Sequence, residues 1–239
     1  MRTWAILLGS AAIAGIFVIR AAAQTSSVAA LIEVRPAGAR LVGPGADLMS
    51  EALAVRVQQI LRVVRVEKYL FVGVRDRSHQ KEIFVIAGYT PRALPRVNCH
   101  NLEGIKMLDG RLLRPEDAGK LIAMVGTGFA AAYRDTARVG RIIPLLPPAA
   151  ETRDIPASVR SAQVRVVGRF AFARPFALGE RQLLLPLDTV QRLFGLRGKV
   201  SRLFVTVDSP AARDGVAEAI REALGESFDV VFPKAGAMR

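Results

Sequence analysis

Cysteine, histidine and tryptophan are nearly missing from this sequence, and each shortage removes a class of function. The lone Cys99 cannot form an internal disulfide, so any domain here must rest on its hydrophobic core. The two histidines, His79 and His100, fall in expected loops, and neither has an acid–base partner at a telling spacing. One tryptophan and few aromatics among the basic positions leave no platform on which nucleic-acid bases could stack. There is no G-x-x-x-x-G-K-[ST] loop for hydrolysing ATP and no G-x-S-x-G elbow for a nucleophilic serine. Past Ala30 no uncharged run approaches the length of a membrane span, which allows one crossing at most. Carboxylates are also short, with 21 acidic against 34 basic residues and a net charge of +13 at pH 7. The basic residues are mostly arginines scattered singly, which suits a solvated surface or an anionic membrane face and not a nucleic-acid arm.

What is present begins with residues 4–23, WAILLGSAAIAGIFVIRAAA, uncharged until Arg20. A helix rises 1.5 Å per residue, so about 20 such residues cover a bilayer core. Trp4 suits one interface, and Arg20 can snorkel toward headgroups at the other. A cleaved signal peptide is the competing reading, with Ala21-Ala22-Ala23 before the cut. The anchor, residues 1–24, is the reading adopted. Either way Arg2 holds the short N-terminus inside and sends the rest across the inner membrane.

The remainder, with 51% of the chain apolar, alternates strands and helices in an α+β pattern. Strands are expected at 28–35, 63–75 and 82–89, with a helix at 47–62 capped by Asp47. The stretch 90–101, with Pro91, Pro95 and VNCHN, marks a boundary into a smaller unit. That unit has turns at Asp109-Gly110 and Pro115, strands at 121–125 and 139–146, a short helix at 129–135 and an exposed loop at 149–162. Strands at 163–170, 183–187, 200–207 and 228–232 follow, with helices from Asp188 and from Ser209-Pro210. The body at 28–236 therefore divides into an outer subdomain, 28–90 with 163–232, and an inserted subdomain, 91–162.

Candidate chemistry is thin. Gly126-Thr127-Gly128-Phe129-Ala130-Ala131 matches G-x-G-x-x-A between a strand and a helix, the arrangement that brings a pyrophosphate onto backbone N–H groups. The acidic residue required about 20 positions later is missing, since that distance falls on Leu146, Pro147 and Pro148. A tight strand-to-helix turn is the expectation. Cys99, His100, Glu103 and Asp109 do not make a convincing metal set at their spacing. The expectation is a non-enzyme with no cofactor, no metal and no catalytic residue. If a working surface exists, it lies at Asp109-Gly110-Arg111 or in the loop 149–162.

Several stretches in order resemble the periplasmic core domain of MacB-like ABC transporter permeases, the FtsX-type group that includes LolC and LolE. They are VQQILRVVRVEKYLFVGV (57–74), IFVIAGYTP (83–91), GIKMLDGRLLRPEDAGKLIAMVGTGFA (104–130), VGRIIPL (139–145), RVVGRF (165–170) and LLLPLDTVQRLFG with VSRLFVTVD (183–208). The resemblance implies a two-lobed periplasmic domain behind a membrane helix, coupled without chemistry of its own to an ATPase-driven membrane part. It implies as partners an ABC ATPase subunit, permease membrane helices and a periplasmic adaptor or lipoprotein, with a dimer left open. Members carry three further membrane helices after this domain, so the expectation is a truncated permease or a one-span relative. The alternative is a secreted or membrane-tethered envelope binding protein.

Overall fold

The computed structural model describes residues 30–39, 47–75, 83–90, 105–133, 137–145, 162–172 and 180–233. The expected membrane helix, His79, Cys99, His100, Glu103 and the loop at 149–161 lie outside them. Among the described residues no helix is long and apolar enough to cross a membrane.

The chain forms β1 (Leu31–Pro36), β2 (Met49–Ser50), α1 (Leu53–Gln58), β3 (Val63–Arg75), β4 (Ile83–Tyr89), β5 (Ile105–Gly110), β6 (Ile122–Gly126) and α2 (Thr127–Tyr133). It continues through β7 (Ile142–Pro144), β8 (Gln163–Phe172), β9 (Gln182–Pro186), α3 (Leu187–Leu193), β10 (Lys199–Val200), β11 (Arg202–Val207), α4 (Arg213–Leu224) and β12 (Phe228–Val231). Ten strands make one mixed sheet in the order β12-β1-β11-β3-β4-β9-β6-β8-β5, with β7 also on β8; β2 and β10 pair separately.

Period-two side-chain alternation builds both faces of this sheet. Ile32, Leu70, Phe84, Ile86, Val125, Val166, Leu183, Leu185 and Leu203 point to one face, where Val57, Phe129, Val190 and Ile220 bring in all four helices. Leu31, Tyr69, Phe71, Val85, Met124, Phe170, Leu184 and Phe204 bury on the other. β4, β6 and β9 are apolar on both sides, as strands buried on both faces must be. On the first face α3 crosses close over β4. A Cβ on Gly88 would sit 2.9 Å from the Val190 side chain, so this strand position takes no side chain.

Local expectations fail where tertiary bonds compete. The helix expected over 47–62 is cut to six residues, because Met49 and Ser50 pair with β10 and the Glu51 N–H donates to the Gly198 carbonyl at 2.8 Å. Ala52, not Asp47, stands at its N-cap. The helix expected from Asp188 begins one residue earlier, directly after Pro186, and Asp188 instead accepts the Thr189 N–H at 2.9 Å. β5 was not expected; pairing with β8 makes it a strand.

Candidate functional site

The centre of the sheet repeats itself. β6 runs straight into α2 and β9 straight into α3, and each unit is a five-residue strand followed by a seven-residue helix. The two strands pair antiparallel through Met124–Leu184 and Val125–Leu183. Outside them, β8 lies parallel to β6 and β4 lies parallel to β9. The arrangement is therefore near-twofold about the short β6–β9 pairing, with both helices on one face. β8, which the sequence places at the start of the outer portion, pairs with β5, β6 and β7.

Beyond those two residue pairs, polar side chains on α3 tie the halves together. The Thr189 hydroxyl donates to the Lys120 carbonyl at 3.1 Å, and Arg192 donates to the Gly119 carbonyl at 2.8 Å. Glu51, Gly119, Asp188, Gln191, Arg192, Arg197 and Gly198 line an open groove of about 380 Å³ along this seam. Burial by itself would raise the Glu51 pKa, but hydrogen bonds from Gln191 and Lys68 outweigh it and hold the carboxyl below its ordinary value. Glu51, Asp188 and Arg192 are engaged by the protein's own chain. Among the described residues no group of His, Cys, Asp and Glu could hold a metal ion.

The sequence-flagged turn Asp109-Gly110-Arg111 feeds this seam. Arg111 grips Asp117 with two nitrogens at 2.6 and 3.1 Å, and the Arg114 N–H adds a third hydrogen bond at 2.8 Å. Asp117 is 2% exposed. The hydrogen bonds from Arg111 hold its pKa below the ordinary value; burial opposes them and the Arg114 N–H assists. The loop so clasped carries Gly119 and Lys120 to α3. Arg111 is thus a positioning residue for the seam, and Asp109 caps the neighbouring Gly110 N–H at 2.7 Å.

A group with a depressed folded-state pKa contributes stability that is present above its unfolded value and lost as pH falls through the folded one. Asp117 follows this sign. Asp117→Asn is expected to cost about 1.5–3 kcal/mol near neutral pH, the worth of hydrogen bonds to a charged group. The cost should start to shrink as pH falls below about 4, the unfolded carboxyl's range, and vanish as pH falls through the lower folded pKa. Urea unfolding at stepped pH measures both, and a deficit that does not change with pH would refute the clasp's ionic character.

The G-x-G-x-x-A lookalike serves packing. Gly126 ends β6, and a Cβ on Gly128 would lie 3.1 Å from the backbone of Glu180. Phe129 is buried and stacks on Tyr133 at 4.4 Å, with Phe84 edge-on to Phe129 at 5.3 Å. The glycine makes room for protein, where a phosphate site would need it to make room for ligand.

The sheet also fixes where the chain enters and leaves the body. Ala30, just before β1, accepts a hydrogen bond from Val207 at the end of β11. β12 runs antiparallel to β1, so Val231, paired with Glu33, lies toward the same end. β1 therefore begins and β12 ends at the same end of the sheet. Residues 3–223 match the family described as the MacB-like periplasmic core domain. The chain belongs to that family.

Two solved structures carry the same fold. One is the periplasmic region of MacB from Actinobacillus actinomycetemcomitans, at 13% identity and a TM-score of 0.56, covering 86% of this chain and 90% of that one. The other is the extracellular domain of the noncanonic ABC-type transporter YknZ from Gram-positive bacteria, at 15% identity and 0.56, covering 84% of this chain and 99% of that one. No curated protein matches the chain. The resemblance seen in the sequence, to the periplasmic core domain of ABC transporter permeases, is therefore correct, and the mixed α+β class agrees with it.

Proposed function

We propose that this chain is the extracytoplasmic part of an ABC transporter permease subunit, held at the inner membrane by residues 4–23 as a single-pass anchor. It is a two-lobed, non-catalytic body. One lobe carries β12, β1, β11, β3, β4 and β9, the other β5 to β8, and they meet at the β6–β9 pairing and the α3 seam. The observation that carries the reading is that β1 begins and β12 ends at the same end of the sheet. Movement of membrane segments driven by a separate ATPase subunit then reaches the lobes through that end, and the seam is where they turn. The working face meets an envelope substrate, a periplasmic adaptor or a lipoprotein, and the body acts by changing shape.

The test is crosslinking in native membranes, with the full chain tagged and its partners identified by mass. Capture of an ABC ATPase subunit together with permease membrane helices is the expected result. Recovery of neither would leave a tethered envelope binding protein as the better account.

A further inference from the structure

The connection from α1 to β3 holds two apolar side chains out of the core. Leu61 is 84% exposed and Val64 60% exposed. Between them Arg62 has φ 70, and it is the one non-glycine residue at positive φ among those described. The turn is fixed from several sides. Val63 donates to the Ile60 carbonyl at 3.1 Å, and Asp208 donates to the Arg62 carbonyl at 3.0 Å. The Arg62 guanidinium reaches Asp208 at 3.0 Å and Ser209 at 2.9 Å. Val64 stands where the β3–β11 register shifts, a bulge that re-aims a side chain. The Gln58 amide donates to the carbonyls of Val63 and Val64 and accepts the Val66 N–H at 2.9 Å, so the bulged backbone stays satisfied. Strained backbone and a dedicated side-chain brace thus present leucine and valine to the outside, an arrangement that folding does not require.

The position of the tip supplies its occupant. Ala30 and Arg62 are bonded to successive residues at the end of β11, Val207 and Asp208, from opposite sides. Two strand spacings, about 10 Å, separate them. Only residues 24–29 lie between Ala30 and the apolar run that ends at Ala23. Fully extended, six residues reach about 20 Å. Once residues 4–23 are in a bilayer, the β1 end of the body cannot stand farther than that from its surface. Phe232, with the Arg213 guanidinium 4.2 Å over its ring, follows the β12 end that points the same way.

We propose that Leu61 and Val64 form a membrane-contact tip that enters the interfacial layer of the bilayer holding residues 4–23, with Arg62 at headgroup level. Exposed apolar side chains suit the deeper part of that layer, while Arg62, tied to Asp208 and Ser209, stays at its polar rim. The contact holds the body upright on its anchor. It rests on the anchor reading, and the test separates the two.

Trp4 is the sole tryptophan. The full chain is reconstituted in phosphatidylethanolamine–phosphatidylglycerol vesicles containing lipid brominated on its acyl chains. Wild type reports on the anchor through Trp4. A Trp4→Phe, Leu61→Trp chain reports on the tip, and Trp4→Phe, Ser227→Trp is the control at the far end of β1 and β12, where Ser227 is exposed. The expected result is bromine quenching and a blue shift with Leu61→Trp and neither with Ser227→Trp. Quenching with Leu61→Trp while Trp4 is unquenched would remove the anchor reading and leave the contact standing. Absence of quenching with Leu61→Trp, whatever Trp4 does, overturns the contact.

Discussion

Gly168→Ala is expected to loosen the half of the sheet that holds β5 to β8. Gly168 in β8 faces the turn after β5, and a Cβ there would lie 2.3 Å from the Arg111 carbonyl oxygen and 2.9 Å from Met107. The obstruction is mutual. A Cβ on Gly110, which has φ +72, would lie 2.3 Å from the Val167 oxygen and 2.9 Å from the Gly168 Cα. The Met107 methyl can swing aside, but neither 2.3 Å contact can be relieved by rotating a side chain, because those atoms are backbone. The strand must move by about 1 Å to reach ordinary van der Waals separation. That shift breaks the Arg111 N–H bond to the Val167 carbonyl, now 2.9 Å, and withdraws Arg111 from Asp117. Overpacking together with a lost charged clasp should cost roughly 3–5 kcal/mol. For a domain of this size that lowers Tm by about 6–20 °C. Gly215→Ala is the control of opposite sign. Gly215 is helical with nothing within 4 Å of its missing Cβ, so alanine there should stabilise by up to about 1 kcal/mol. Thermal unfolding of the detergent-solubilised chain compares the two, and equal midpoints would refute the close-approach argument.

That pair of glycines shows what the sequence could and could not disclose. The turn at Gly110 was legible because Asp-Gly between apolar residues is a turn signal. Its partner was not, since nothing local says that Gly168, deep in RVVGRF, faces a backbone. β3, β4, β8, β9 and β11 were legible from apolar alternation or apolar runs, which reflect burial directly. β5 was missed because four of its six IKMLDG residues are exposed and none is buried, and only the β8 partner decides its state. α1 was overestimated because its period continues through Met49 and Ser50, which distant Lys199 and Val200 claim for a strand pair. The family resemblance was correct although each motif was loose, since order and spacing carry more than any one letter. The seam stayed hidden. Thr189, Gln191 and Arg192 read as the polar side of a surface helix, yet two of them are buried and all three bond to other segments.

Glu33→Ala is expected to be as damaging, through charge in place of volume. Arg202 opens β11 at 2% exposure, on the sheet face opposite the helices and level with Tyr69. Burial pulls its pKa down to about 10, which leaves the guanidinium charged at neutral pH. The anion it touches is Glu33 on β1, itself 6% exposed. Glu33 in turn faces Arg35 at 3.8 Å, and Arg35 reaches Asp229 on β12 at 3.4 Å, so the charges alternate across three strands. Removing Glu33 strands a buried cation, which costs about 3–5 kcal/mol in comparable cases. The other deletion is predicted to be milder. Arg202→Met replaces the guanidinium stem with an apolar chain, removes the desolvation cost and leaves Glu33 with Arg35 as its counter-ion. Glu33→Leu combined with Arg202→Met makes the site neutral and filled, and it should recover most of the stability, since well-packed apolar replacements of buried pairs are often no worse than the pair. Chemical denaturation of the three variants decides the matter. If Glu33→Ala and Arg202→Met lose equal stability and the Glu33→Leu, Arg202→Met variant recovers none of it, the alternating network holds nothing together.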